Sequence, residues 1–299
     1  MSSHPGERTL VFGGSGFLGS HVVAEIGPEG VVAGREEGIH AGSRRAGFRK
    51  VDALVPEEIG RALDSVQPAR VILCTALSSL ADAEAYPGLA RALNAEFPCQ
   101  VAKACARIHA RLVHVSSDLV FGGRDPRPEG FREDDPPAPI SEYGRSKAEG
   151  EVAVLDAYPD ALVVRLPILY GDSFGRGRGA SDSLLAAIER GERPMLFTDE
   201  WRTPLDVANA ARVLVELAGT DASGILHVAG PDRVCRYELG LLVLRSRGMG
   251  EDAARAAIRP GTRAEAGVED ERPSDTSLDS GRARSLLLTP LLSIREALR

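Results

Sequence analysis

Tyr143 and Lys147 stand four residues apart in the segment YGRSKAEGE, so on a helix their side chains share one face, a single turn apart. An ammonium at that separation lowers a phenol's pKa by Coulomb attraction and can also reach a ribose hydroxyl. The phenol can then exchange a proton with a carbonyl oxygen while a hydride moves at the carbon. A second hydroxyl is needed to fix that oxygen, and VHVSSDLVFGG offers Ser116 and Ser117 at the end of an apolar run. A lone Y-x-x-x-K pair arises by chance on many helices, so its weight here comes from its neighbours in the chain.

The segment TLVFGGSGFLGSHVVAEI places Gly13, Gly16 and Gly19 between an apolar run and a helical pattern. Glycines at this junction permit a tight turn and let the backbone approach a pyrophosphate, while the helix N-terminus presents unpaired N–H groups to the negative charge. The second strand ends in VVAGREE. Gly34 stands where an NAD-binding carboxylate is expected, and Arg35 beside it suits a 2′-phosphate, so NADP is favoured over NAD. Glu36 and Glu37 would serve the ribose if the strand ended later. Asp52, after the third short strand, is placed either to read an adenine amino group or as a solvated loop residue.

These groups need a scaffold, and the first half of the chain supplies an alternating pattern. Strands are expected at Arg8 to Phe12, Val31 to Ala33, Phe48 to Val51, Val71 to Cys74, Leu112 to Val115 and Ala161 to Arg165. Helices are expected over Gly16 to Ile26, Pro56 to about Val66, a long one ending near His109, and about Ser141 to Ala157. Strands separated by helices imply right-handed crossovers and a doubly wound parallel α/β sheet, the Rossmann arrangement. The stretch FGGRDPRPEGFREDDPPAPI, from Phe121 to Ile140, can be neither a regular helix nor a central strand, and a loop of that length is functional or mobile. A second irregular stretch, GDSFGRGRGASD, follows Tyr170. A dinucleotide-binding domain over residues 1–170 is therefore expected, with a smaller substrate lobe over 171–299 in which about 204–230 returns to the first domain.

The chain has 299 residues, 43% hydrophobic and 26% charged, which excludes fibrous and mainly disordered classes. Its formal net charge of -7 offers no basic footprint for nucleic acid. No apolar run is long enough to span a bilayer and MSSHPGERTL lacks the apolar centre of a signal peptide, so a cytoplasmic, membrane-free protein is expected. Cys74, Cys99, Cys105 and Cys235 form no CxxC pair and are expected to be reduced. No histidine has metal-ligand spacing, and His114 and His227 read as satisfied core residues.

Taken together, GGSGFLG, SSDLVF, YGRSKAEGE, VVRLPILYG, RTPLDVANAA, GILHVAG and RPSDTSLD make the chain resemble, over nearly its whole length, the extended short-chain dehydrogenase/reductase family, in its dTDP-4-dehydrorhamnose reductase-like branch. The resemblance implies Ser117 as hydroxyl donor, Tyr143 as acid and Lys147 as its activator. It also implies a cofactor held by Gly13, Gly16, Phe17, Leu18, Gly19, Arg35, Asp52, Ala76, Tyr143 and Lys147. Asp118, Trp201, Arg202 and Arg272 are implied substrate contacts, the arginines pairing with a nucleotide-sugar pyrophosphate. Trp201 would cover a sugar or base, or anchor the lobe interface. Asp206 is the expected N-terminal acid of the following helix, while Arg176 and Arg178 either clamp a ligand or lie in a solvated loop.

Leu119 replaces the aromatic residue that this branch usually carries after the Asp, and it cannot take a proton as the acidic pair of sugar-nucleotide dehydratases does. The resemblance therefore implies an NADP(H)-preferring reductase of a nucleotide-linked deoxysugar, compatible with a homodimer. An epimerase or another ketone reductase is the enzymatic alternative. An NADP-binding regulatory subunit resembling the methionine adenosyltransferase β subunit is the alternative of another class.

Overall fold

Thr9–Phe12 is buried at every position, as expected of a strand covered on both faces, and forms β1 at the heart of a parallel sheet. The computed structural model describes residues 8–35, 47–175, 177–268 and 272–298; Glu36, Glu37 and Arg176 lie outside them. After β1 come α1 (Phe17–Ile26), β2 (Gly30–Gly34), β3 (Gly47–Lys50), α2 (Pro56–Val66) and β4 (Arg70–Leu73). The single long helix expected next is broken into α3 (Leu80–Ala85), α4 (Pro87–Arg91), a π turn over Ala92–Glu96 and α5 (Phe97–Ile108). Two prolines explain the breaks. Pro87 sits in the first turn of α4, and Pro98 has no N–H to return to the Asn94 carbonyl, so the chain widens and Phe97 N–H donates to Ala92 instead.

The chain continues through β5 (Arg111–Ser117), α6 (Glu142–Ala157), β6 (Leu162–Leu166), β7 (Leu169–Tyr170), α7 (Gly179–Glu189), β8 (Met195–Phe197), β9 (Trp201–Arg202), β10 (Leu205–Asp206) and α8 (Val207–Ala218). It then forms β11 (Gly224–His227), β12 (Val234–Cys235), α9 (Arg236–Ser246), α10 (Glu251–Ala257) and β13 (Arg259–Gly261). Among the described residues, seven strands form one parallel sheet in the order β11-β6-β5-β4-β1-β2-β3. The expected doubly wound α/β fold is borne out. One face is closed by a cluster built from α1 and α8, including Val22, Val23, Val213 and Leu214; the other is closed by α2, α5 and α6, including Leu63, Val101 and Val154. A third apolar cluster joins α7, α9 and α10 through Leu184, Leu244 and Ala254.

The long stretch 121–140 is tied down rather than loose. Phe131 stacks on Phe121 at 4.1 Å, Phe131 N–H donates to the Ser277 carbonyl, and the Gly123 carbonyl accepts from Ser274 N and Oγ. Asp275, wholly buried, accepts from Arg127 N and from Arg233 Nη2 at 2.6 Å. The RPSDTSLD motif is thus the other half of this stretch's fold.

Helix α6 lies unusually close to the π turn, because a Cβ on Gly150 would collide with the Asn94 carbonyl oxygen. Asn94 uses that proximity: its Nδ2 donates to Ser146 Oγ at 3.0 Å, and its Oδ1 accepts from Leu77 N at 2.9 Å. For Gly150→Ala, helix propensity gains about 1 kcal/mol but overpacking against immovable backbone costs about 1–3 kcal/mol. A net loss of stability, read as a lower denaturant midpoint, is expected; an unchanged or raised midpoint would contradict the close approach.

Candidate active site

The glycine turn works as its spacing requires. Gly13 has φ +80°, and a Cβ there would meet Thr75 N at 2.7 Å, while a Cβ on Gly19 would collide with the Gly13 carbonyl. The N-terminus of α1 therefore opens onto a cavity of about 900 Å³, whose walls include Gly16, Phe17, Leu18, Gly19, Ala76, Ser117, Tyr143 and Lys147. A second cavity of about 430 Å³ shares Ala76 and Arg178 with the first and adds Gly13, Arg35 and Asp52. All the cofactor contacts expected from sequence thus face one elongated groove. Asp52 also shapes the approach to α2, accepting from Leu54 N at 3.0 Å.

Arg178 is exposed, in keeping with a solvated loop, yet it borders both cavities. Its segment lies over the start of α1, where His21 Nε2 bonds the Asp172 carbonyl at 2.7 Å and stacks on Phe174 at 4.3 Å. The exposed Arg178 side chain reaches back toward the Ser15 carbonyl at 3.5 Å.

Ser141 caps α6, its Oγ accepting from Gly144 N at 3.1 Å, and so places Tyr143 in the first turn and Lys147 in the second. Lys147, 1% exposed, donates from Nζ to the Val115 carbonyl at 2.7 Å. Burial pushes its ammonium down to about 8, against the pull of Glu151 and Cys74. Tyr143 departs from expectation: its phenol is pushed up to about 12 rather than lowered. Burial dominates, Ser117 opposes it by hydrogen bonding, and the charge that acts on the phenol is the Asp118 carboxylate, while the Lys147 ammonium is turned onto backbone. Of the two serines, Ser116 commits its hydroxyl to Glu151 at 2.5 Å, and Ser117 donates to Asp118 Oδ1 at 3.1 Å.

Asp118 closes the far side. Its Oδ2 accepts from Thr276 Oγ1 at 2.7 Å and lies 3.6 Å from Arg202 Nε, yet burial still raises its pKa. Beyond it, Glu200 is gripped by Arg272 through bonds of 2.8 and 2.9 Å, by Arg202 at 3.3 Å and by Arg236 at 3.9 Å. Three guanidiniums overcome the upward push of burial and hold Glu200 at about 2. Ser117, Asp118, Tyr143, Arg202, Arg236 and Arg272 line a cavity of about 240 Å³.

Arg202 and Arg272 therefore stand where sequence put them, but already paired with Glu200. Trp201 does not line these cavities: its ring is covered by Arg233 at 4.2 Å and its backbone bridges Asp275. His227 is satisfied by Arg165 and the Phe131 carbonyl, whereas both ring nitrogens of the wholly buried His114 lack a hydrogen-bond partner, against expectation. Sequence reasoning missed Glu200 and Arg236, which line the arginine-rich cavity, and Thr276 and Asn94, which brace Asp118 and α6 behind it. Only Thr276 carried a signal, its place in RPSDTSLD. The four cysteines are free, and among the described residues no group of three or more His, Cys, Asp or Glu could hold a metal ion. No helix among them is long and apolar enough to cross a membrane.

Because Glu200 drops from the usual 4.5 to about 2 on folding, its contribution to stability is present above pH 4.5 and is lost as pH falls through 2. Glu200→Gln leaves buried guanidiniums without their anion and should cost about 3 kcal/mol near neutral pH. It should also flatten the acid limb of stability measured by denaturant unfolding. An unchanged acid limb would refute this account of the cluster.

The model of the RmlD substrate binding domain family matches residues 7–299. A dTDP-4-dehydrorhamnose reductase of Mycobacterium tuberculosis is 35% identical over 297 residues, covering 98% of this chain and 91% of that one. Methionine adenosyltransferase 2 subunit beta of Bos taurus is 30% identical over 310 residues, covering 98% and 88%. Among solved structures, the dTDP-4-dehydrorhamnose reductase of Bacillus anthracis in complex with NADP shares the fold at TM-score 0.82 and 24% identity, covering 98% of this chain and 97% of that one. The chain belongs to the RmlD substrate binding domain family.

Proposed function

We propose that this protein is an NADPH-preferring reductase that converts the keto group of a nucleotide-linked deoxysugar to an alcohol, as the names of its reductase relatives suggest. One observation carries the reading: Ser117 and Tyr143 line both the groove below the α1 N-terminus and the arginine-lined cavity, so they stand where two ligands would meet. The groove fits a dinucleotide, since its glycines leave room for phosphate against helix N–H groups and Arg35 stands at its outer end. Bound NADPH would supply the hydride.

The chain's own residues do the rest. Ser117 and Tyr143 orient the carbonyl oxygen by hydrogen bonding, and Tyr143 releases its phenolic proton to that oxygen as negative charge develops there. A phenol held at about 12 is fully protonated at neutral pH, the state that donation requires. Lys147, charged below about 8, is held on the Val115 carbonyl one helical turn from Tyr143 and presents its charge to the wall of the groove. Arg236, paired to Glu200 only at 3.9 Å, together with Arg202 and Arg272, supplies the positive wall for a diphosphate in a chain that is otherwise acidic.

The relative named as a methionine adenosyltransferase subunit favours a second reading, a regulatory subunit that binds NADP without turning over a sugar. Tyr143→Phe separates the two. Under the reductase reading it retains cofactor affinity and loses at least about a hundredfold in keto-sugar-dependent NADPH oxidation; equal turnover in the mutant sinks the mechanism, and no turnover by either protein favours the regulatory reading. Cofactor choice has its own test by fluorescence titration. Arg35→Ala should weaken NADPH by roughly tenfold or more while NADH changes little; equal losses would contradict the 2′-phosphate role.

A further inference from the structure

Glu151 continues the row Tyr143, Lys147 one turn farther along α6 and is almost wholly buried behind the site. Its Oε1 accepts from Ser116 Oγ at 2.5 Å and from Arg165 Nε at 2.9 Å, and its Oε2 from Arg165 Nη2 at 2.7 Å. The end of β5 is thereby divided among three tasks. The Val115 carbonyl holds Lys147, the Ser116 hydroxyl holds Glu151, and the Ser117 hydroxyl faces Asp118 and Tyr143. Neighbouring side chains on a strand point to opposite faces, so fixing Ser116 on Glu151 fixes the direction in which Ser117 points.

The same carboxylate is the leading group that opposes the loss of Lys147's charge in its dry setting. The other titratable groups around that ammonium are Cys74 beyond β4, His114 on β5 and Tyr143 on α6. Glu151 in turn is paired with Arg165 of β6, whose Nη1 lies 3.2 Å from His227 Nε2 of β11. His227 donates through Nδ1 to the Phe131 carbonyl and is pushed down to about 4 by burial and by Arg165, so it stays neutral and accepts from the guanidinium.

We infer that Glu151 is a positioning residue of the reaction, which orients Ser117 through Ser116 and supplies the countercharge that Lys147 needs inside the protein. This rests on the reductase reading for its kinetic consequences but not for its electrostatic one. The chain has three lysines, Lys50, Lys103 and Lys147. In protein labelled with 15N-lysine, the Nζ titration of Lys147 can therefore be followed without any substrate.

Glu151→Gln keeps the shape and the acceptor oxygen while removing the charge. The Lys147 titration, near 8 in the parent protein, should move down by about one unit or more. In the keto-sugar assay, kcat should fall about fivefold or more at pH 8 and recover toward the parent value at pH 6, with KM for the sugar little changed. Ser116→Ala keeps every charge, and should lower kcat at all pH values without moving the lysine titration. A Glu151→Gln protein that melts earlier but shows an unmoved Lys147 titration overturns the inference and leaves Glu151 a structural ion-pair partner. Should Glu151→Gln not fold, Glu151→Asp retains the charge but draws it back from Ser116. It should reproduce the pH-independent loss of Ser116→Ala, and parent-like kcat in both would equally overturn the inference. If the parent reduces no keto sugar, the functional reading fails while the lysine titration still decides the role of Glu151.

Discussion

An ammonium group sealed from water costs several kcal/mol unless the surrounding groups compensate for it, and Lys147 is such a group. The architecture around α6 can be understood as the means of tolerating it. The helix has to approach β5 closely enough for Nζ to reach a backbone carbonyl, and it does so because Gly150 lets it settle onto the π turn. That turn exists because Pro98 denies Asn94 its regular partner, and Asn94 then braces both α6 and the loop after β4. A proline, a glycine and an asparagine in two helices thus fix the reach of one lysine.

Glu200, Asp118 and Lys147, all buried in the candidate site, are handled in three ways. Glu200 is overcompensated by guanidiniums and is a permanent anion. Asp118, with Arg202 at the longer distance of 3.6 Å and two hydroxyl donors, is undercompensated, and burial holds its carboxyl above the usual range. Lys147 lies between these extremes, its charge weakened but retained at neutral pH. The fixed charges are the ones remote from Tyr143 along the arginine wall, whereas the adjustable ones adjoin it. Such a gradient keeps the proton-handling end responsive while the rest of the wall holds its shape.

The elements legible in the sequence were those whose causes are local. β1, the glycine turn and the row Tyr143, Lys147 each follow from spacing within one strand or helix, and the structure differs from expectation there by a residue or so. The break between α3 and α5 was missed because two prolines were absorbed into a continuous apolar pattern. The arginine wall was only half legible, since Asp118, Glu200, Arg236 and Thr276 come from segments spread over 158 residues of the chain and meet only through tertiary folding. Trp201 misled for a related reason. An aromatic side chain looks like a ligand platform until a distant arginine, Arg233, is found lying on its face. The raised phenol of Tyr143 shows the same limit, because spacing gives the distance between two groups but not the water removed from around them.

The last strand of the sheet comes from far along the chain. β11, residues 224–227, pairs with β6, residues 162–166, and the intervening segment contributes α7 and α8 before the sheet is completed. Every residue of β6 is buried in the finished protein. During synthesis, then, about 60 residues must leave the ribosome after β6 before its outer edge has a partner, and a bare apolar edge invites pairing with another chain. The first half of the chain does not complete its own sheet as it emerges. Its solubility in the nascent state depends on how soon the later segment arrives to cover it.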